Sequence, residues 1–222
     1  MVMAQMVSVV CGLLFLNEAA SGRAPSNWHF ALAFLCAPLA ALFYLIQAYP
    51  VGNGVAIVTV ALTWCGARAV NGRRPHLWIA LAVPFFVTVA VLATRMDDGA
   101  WIGAYPFFAS VAAFSLAAAV EFRRGRTNEA RTKNASILSA ICAFNGVFYA
   151  SRAFGLWLLG PDDPIFQAVL GPETATAVLT LLVVVFSFSL TALGTARNDA
   201  LLGYAATPDA MPGLFPRGGF FR

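Results

Sequence analysis

Long runs of apolar residues alternate with short polar clusters along the whole chain. Seven apolar segments stand out: Val2 to Leu16, Trp28 to Ala48, Val51 to Val70, Leu77 to Ala93, Trp101 to Val120, Ala135 to Leu158 and Ala175 to Leu193. Most are about 20 residues long, the length that carries a helix across about 30 Å of hydrocarbon. Within them the apolar residues are continuous rather than striped, so the helices are greasy on every face. The pattern predicts an all-α fold, a polytopic membrane helix bundle of about seven transmembrane helices. Unpaired backbone groups cost several kcal/mol each in lipid, which excludes open sheets, and the short alternating segments of a β-barrel are missing. The first segment is the weakest. It is short, it lacks a basic n-region and a small-residue cleavage site, and without it the count falls to six spans.

Three segments contain proline, at Pro38, Pro84 and Pro106, and each is expected to kink its helix. Composition agrees with the patterning. Of 222 residues, 60% are hydrophobic and 11% charged, against roughly 25% charged in an average soluble domain. Cys11, Cys36, Cys65 and Cys142 fall singly inside apolar runs with no histidine nearby, and read as small buried hydrophobes rather than metal ligands or disulfides.

The formal net charge of +4 is unevenly spread. Arg23 follows segment one, Arg68, Arg73 and Arg74 follow segment three, and Arg123, Arg124, Arg126, Arg131 and Lys133 follow segment five. Arg197, Arg217 and Arg222 follow segment seven. The alternate connections carry only Arg95, beside Asp97 and Asp98, and the acidic stretch of Asp162, Asp163 and Glu173. By the positive-inside rule the C-terminal tail is cytoplasmic, and with seven spans the N-terminus lies outside. The basic residues therefore record topology, and the bilayer, not nucleic acid, is the expected partner.

Candidate chemistry within the spans is sparse. Arg152 is the one clearly charged residue well inside a segment, expected near its outer end. There it would either snorkel or pair structurally, or recognise a ligand or signal. Asn145, nearer the middle of the same segment, is the expected interhelical hydrogen-bonding amide. Glu18 and His29 sit at the inner ends of segments one and two, placed to face each other. Ala109, Ala113 and Ala117 form a small-residue repeat that permits close helix packing. Catalytic triads, zinc motifs, Walker loops and Rossmann fingerprints are all missing from the sequence, which leaves catalytic, cofactor-binding and metal residues at none. Duplicated broken-helix segments of the transporter kind are also missing.

The tail carries a resemblance. Asp209-Ala-Met-Pro-Gly-Leu-Phe-Pro-Arg-Gly-Gly-Phe-Phe221 resembles the opening of a GGDEF domain, D-x-L-T-G-L-x-N-R-R-x-F, with matches at Asp209, Gly213, Leu214, Arg217 and Phe220. Met211 stands conservatively for the leucine, while Pro212, Pro216 and Gly218 depart from the pattern. Upstream, Trp64-Cys-Gly-Ala-Arg-Ala-Val-Asn-Gly-Arg-Arg-Pro75 is similar to the W-x-G-x-R-x-x-x-G-R-R-P stretch of membrane regions that precede such domains. The resemblance implies a bacterial inner-membrane sensor or anchor, residues 1–195, followed by a cytoplasmic linker and the start of a GGDEF-like domain, residues 196–222. It implies signalling through cyclic di-GMP and a homodimer, because in the family two cyclase domains each present one GTP to the other. The chain stops before the family's catalytic portion, so enzymatic activity is not expected from these residues. Two rival readings remain: a small transporter or permease whose pathway is lined by Arg152 and Asn145, and a membrane scaffold.

Overall fold

The computed structural model describes residues 2–20, 27–93, 103–124 and 129–206, with side chains described over 5–20, 27–93, 103–124 and 133–192. All regular structure among these residues is helical: α1 (Val2–Ala20), α2 (Asn27–Leu45), α3 (Tyr49–Val70), α4 (Leu77–Ala93), α5 (Ala104–Arg124), α6 (Glu129–Leu159), α7 (Pro164–Leu170) and α8 (Pro172–Ala206). Five segments are long and apolar enough to cross a membrane, namely α2, α3, α5, Lys133–Leu159 of α6, and Pro164–Ala192 across α7 and α8. Two further apolar helices, over Gln5–Ala20 and Leu77–Ala93, are shorter. Each predicted segment thus coincides with a helix over its described residues, α2 ending three residues before its expected end and α1 running four past.

Two details differ from expectation. Pro38 and Pro84 lie inside their helices, but Pro106 is the third residue of α5. A proline in the first turn replaces an N–H that has no intrahelical partner, so Pro106 starts the helix rather than kinking it. The acidic stretch after α6 also contains α7, which hydropathy does not mark. Asp163 caps it, its Oδ1 accepting from the backbone N–H of Ile165 at 2.8 Å and Phe166 at 3.1 Å. Phe166 is completely buried.

The packing closes on itself. Going round the bundle, α1 contacts α2, α2 contacts α3, α3 contacts α5, α5 contacts α6, α6 contacts α8, and α8 returns to α1. The six form a ring. Helix α4 lies outside it against α3 and α5, burying only Ala80 and Pro84. Helix α7 leans on α6 and α8.

Large apolar side chains such as Leu42, Phe85, Trp157 and Phe188 point outward, where lipid solvates them as well as a protein core would. The inside is built from alanines, hydroxyl residues and two aromatic groups. Phe15, Phe30, Phe34, Phe122 and Phe186 interleave toward the end where α5 finishes. Phe107, Phe108 and Tyr149 pack edge to face toward the other. Polar ties hold neighbouring helices: Ser8 Oγ donates to the Phe34 carbonyl at 2.7 Å, and Ser139 Oγ to the Ala119 carbonyl at 2.8 Å.

Candidate functional site

Two polar clusters sit at opposite ends of the ring. At the end where α3 and α5 finish, Glu121 is 2% exposed and surrounded by arginines. Arg68 Nη1 donates to its Oε1 at 3.1 Å, Arg73 Nη1 at 2.9 Å, and Arg124 Nη1 at 3.4 Å. The carboxylate is buried because its charge is multiply compensated; alone it would be expensive to desolvate.

Helix α3 ends so that its arginines can reach Glu121. Gly72 takes a φ of +71°, a left-handed conformation that suits glycine. The chain reverses there, and the Arg73 N–H returns to the Arg68 carbonyl at 2.9 Å. Asn71 Nδ2 donates to the Glu121 carbonyl, 2.6 Å away. Arg68 itself is clamped: Nε donates to the Arg74 carbonyl at 3.1 Å, Nη2 donates to His76 Nε2 at 3.0 Å, and the guanidinium lies 5.3 Å from the Trp64 ring centre. Two residues before Arg68, Gly66 lets the Phe30 ring approach; a Cβ there would fall 2.6 Å from a ring carbon.

At the opposite end Arg152 is 6% exposed and points inward, so the snorkelling expected from its place in the helix does not occur. Its Nε donates to the Leu170 carbonyl at 2.8 Å. Its guanidinium carbon stands 4.3 Å from the ring centre of Phe108 and 5.4 Å from that of Tyr149. Two aromatic faces and a carbonyl from α7 thus hold the cation inside the bundle. Among the described residues no carboxylate lies within 4 Å of Arg152. The guanidinium borders a cavity of about 540 Å³ whose polar lining includes Tyr44, Tyr49, Asn53, Gln167 and Thr176. Tyr44 Oη donates to Asn53 Oδ1 at 2.7 Å.

Among the described residues, this cavity and two others follow one another along the inside of the ring. A second, of about 230 Å³, shares Tyr44, Tyr149 and Thr176 with it and is also lined by Gln5 and Asn145. A third, of about 150 Å³, shares Ser8, Thr59 and Asn145 with the second and reaches Phe30 and Phe186. All six ring helices contribute to the third. Asn145 Nδ2 donates to Ser115 Oγ at 2.8 Å, the α5–α6 tie expected of it. Among the described residues, Asn145 Oδ1 and Gln5 Oε1 are buried acceptors that receive no hydrogen bond.

Of the residues singled out in the sequence, Arg152 and Asn145 are brought to one face of α6 and one set of cavities. Glu18 Oε2 accepts from Asn27 Nδ2 at 2.7 Å, two residues before His29. Ala109 and Ala113 face outward on α5, away from the ring, with Ala117 half-buried. Cys65 and Cys142 are buried, Cys11 and Cys36 half-buried, and all four are free thiols. Asp209, Gly213, Leu214, Arg217 and Phe220 lie outside the described residues. Glu121, Tyr44, Tyr149 and Gln5 were missed. The one signal for Glu121 was a lone acid at the head of the most basic connection. No family model, curated protein or solved structure matches the chain.

Proposed function

We propose that the chain is a non-catalytic sensory and anchoring module of a bacterial inner membrane, with a cytoplasmic C-terminus. Occupancy of the Arg152 cavity is reported along α8. One observation carries this reading: the helix that lines the cavity through Ala175, Thr176 and Leu179 runs unbroken from Pro172 to Ala206, 35 residues. At 1.5 Å per residue it is about 52 Å long, against about 30 Å of hydrocarbon, so it leaves the membrane as a helix. A small change at the cavity is thereby delivered to whatever follows. The similarity of Asp209 to Phe220 and of Trp64 to Pro75 to regions around GGDEF domains supports a paired diguanylate cyclase output and a homodimer.

A diguanylate cyclase domain grafted after Ala206 tests this. Cellular cyclic di-GMP should change at least threefold on Arg152→Gln, and should oscillate with helical period when one to four residues are inserted between 193 and 206. Flat output across both series would sink the sensor reading.

A second reading is favoured by one observation: Arg152 and Asn145, two turns apart on α6, line neighbouring cavities that share Tyr44, Tyr149 and Thr176 in their walls. A permease would use them as its pathway. Proteoliposome uptake that drops with Arg152→Ala supports that reading, and unchanged flux removes it.

A further inference from the structure

Resting on the sensor reading, we propose that these neighbouring cavities bind an amphiphilic monocarboxylate bearing a hydroxyl far along its chain. Its carboxylate sits on Arg152 and its hydroxyl donates to the buried Oδ1 of Asn145.

The anionic end follows from charge. Arg152 is buried within a membrane bundle, and its described surroundings offer rings, a carbonyl, amides and hydroxyls but no acid. A buried guanidinium without a carboxylate is a costly arrangement, and a planar carboxylate is the ligand its donor fork matches. Among the described residues the lining of this cavity holds one cation. A monoanion neutralises it, whereas a phosphate dianion would bring a second, unmatched charge. The volume of about 540 Å³ falls within the roughly 300–1,000 Å³ of small-molecule sites.

The hydroxyl follows from the two orphan acceptors. Gln5 Oε1 and Asn145 Oδ1 belong to residues of the second cavity, and each is buried without a donor among the described residues. A buried unsatisfied acceptor costs roughly 1–3 kcal/mol, and one ligand O–H removes that cost at one of them. Between the two ends the wall is apolar, with Ala56, Val60, Phe107, Leu179 and Val183, which suits methylenes.

The spacing sets where the hydroxyl must be. Arg152 and Asn145 are two helical turns apart, about 10.5 Å along the axis, and the Arg152 side chain leans back toward the helix N-terminus. A hydroxyl next to the carboxylate is too close to reach Asn145. One at the far end of a chain of medium length is placed correctly.

Purified protein in phosphatidylcholine nanodiscs, titrated calorimetrically, tests the assignment. 10-Hydroxydecanoate should bind about tenfold more tightly than 3-hydroxydecanoate or decanoate. 1,10-Decanediol, which lacks the carboxylate, should bind at least thirtyfold more weakly. Arg152→Gln should bring 10-hydroxydecanoate down to the diol, and Asn145→Ala should erase its advantage over decanoate. Equal binding of the four compounds to the wild type, or of the acids to Arg152→Gln, overturns the proposal whether or not a given variant folds well. So does absence of binding, and if grafted cyclase output still depends on Arg152, the sensor reading survives that loss. Nanodiscs of phosphatidylglycerol distinguish a lipid phosphate from a free acid: competition there for the Arg152 site at least as strong as by 10-hydroxydecanoate also overturns it.

Discussion

Arg73 Nη1 donates to both oxygens of Glu121, at 2.9 and 3.2 Å, from the turn that ends α3 to the last turn of α5. This contact makes structural sense of the Trp64 to Pro75 stretch. Trp64 backs Arg68, Gly66 admits Phe30, Arg68 and Arg73 hold the carboxylate, and Gly72 makes the reversal that brings them together. The stretch is a fastening between α3 and α5 at one end of the ring.

Glu121→Gln therefore removes the one negative charge from the centre of three arginines. Breaking a buried, multiply bonded pair costs about 3–5 kcal/mol, whereas an exposed pair is worth about 0–1 kcal/mol. Arg124, with a side chain 58% exposed and a longer contact of 3.4 Å, belongs to the second class. Unfolding in dodecyl maltoside should show Glu121→Gln severely destabilised and Arg124→Gln close to wild type. Equal losses would mean that the fastening is not organised around Glu121.

How much of this was legible in the sequence depends on what lipid hides. Continuous apolar length locates α1 to α6 and α8, because only length decides whether a segment can span. It says nothing about which face turns inward, since leucine is equally at home against lipid and protein. The ring closure of α8 on α1 was therefore invisible, as were the cavities inside. Helix α7 was hidden for another reason: seven residues capped by Asp163 give no span-length signal. Arg152 was legible as unusual, but its direction was not. Position in the helix predicted the headgroups, and Phe108, Tyr149 and the Leu170 carbonyl, all distant or unranked in sequence, turned it inward.

The contact between Gly66 and Phe30 makes a sharper packing prediction. An added Cβ would stand 2.6–2.9 Å from three atoms of a ring that is itself 1% exposed among Phe15, Phe122 and other core side chains. The ring has nowhere to go. Gly66→Ala should cost about 1–3 kcal/mol as overpacking, and Phe30→Leu should recover part of the loss in the double variant. At Gly72 nothing lies within 4 Å, so Gly72→Ala carries only the left-handed backbone cost of about 1–2 kcal/mol and Phe30→Leu should leave that cost unchanged. A double-variant cycle that shows no coupling at Gly66 would remove the steric account.

Topology gives a prediction independent of stability. The Glu121 fastening and the Arg152 cavity lie at opposite ends of the ring, so residues beside them should face opposite compartments. In a variant with Cys11, Cys36, Cys65 and Cys142 replaced by alanine, Asp163→Cys should react with an impermeant maleimide in intact spheroplasts. Arg124→Cys should react only after the membrane is opened. The reverse pattern would place the tail outside and defeat the output mechanism along α8.

Arg152 separates a structural from a functional role by the sign of its effect on stability. If the residue serves mainly to tie α6 to α7 through the Leu170 carbonyl, an apolar replacement of similar length must destabilise the bundle. If it is kept for a ligand, the unmatched buried charge is a burden on the empty protein, and relieving it stabilises the fold. Replacing buried ion pairs by well-packed apolar side chains has stabilised other proteins by about 1–4 kcal/mol, and a buried charge without a counter-ion has less still to lose. Sites that give up stability for function behave in the same way. Arg152→Met should therefore raise the unfolding temperature in ligand-free detergent while abolishing binding of 10-hydroxydecanoate. The wild type should gain stability on adding that acid, because a ligand that binds only the folded state shifts the equilibrium by mass action. A destabilised Arg152→Met together with an unresponsive wild type would reduce Arg152 to a structural tie.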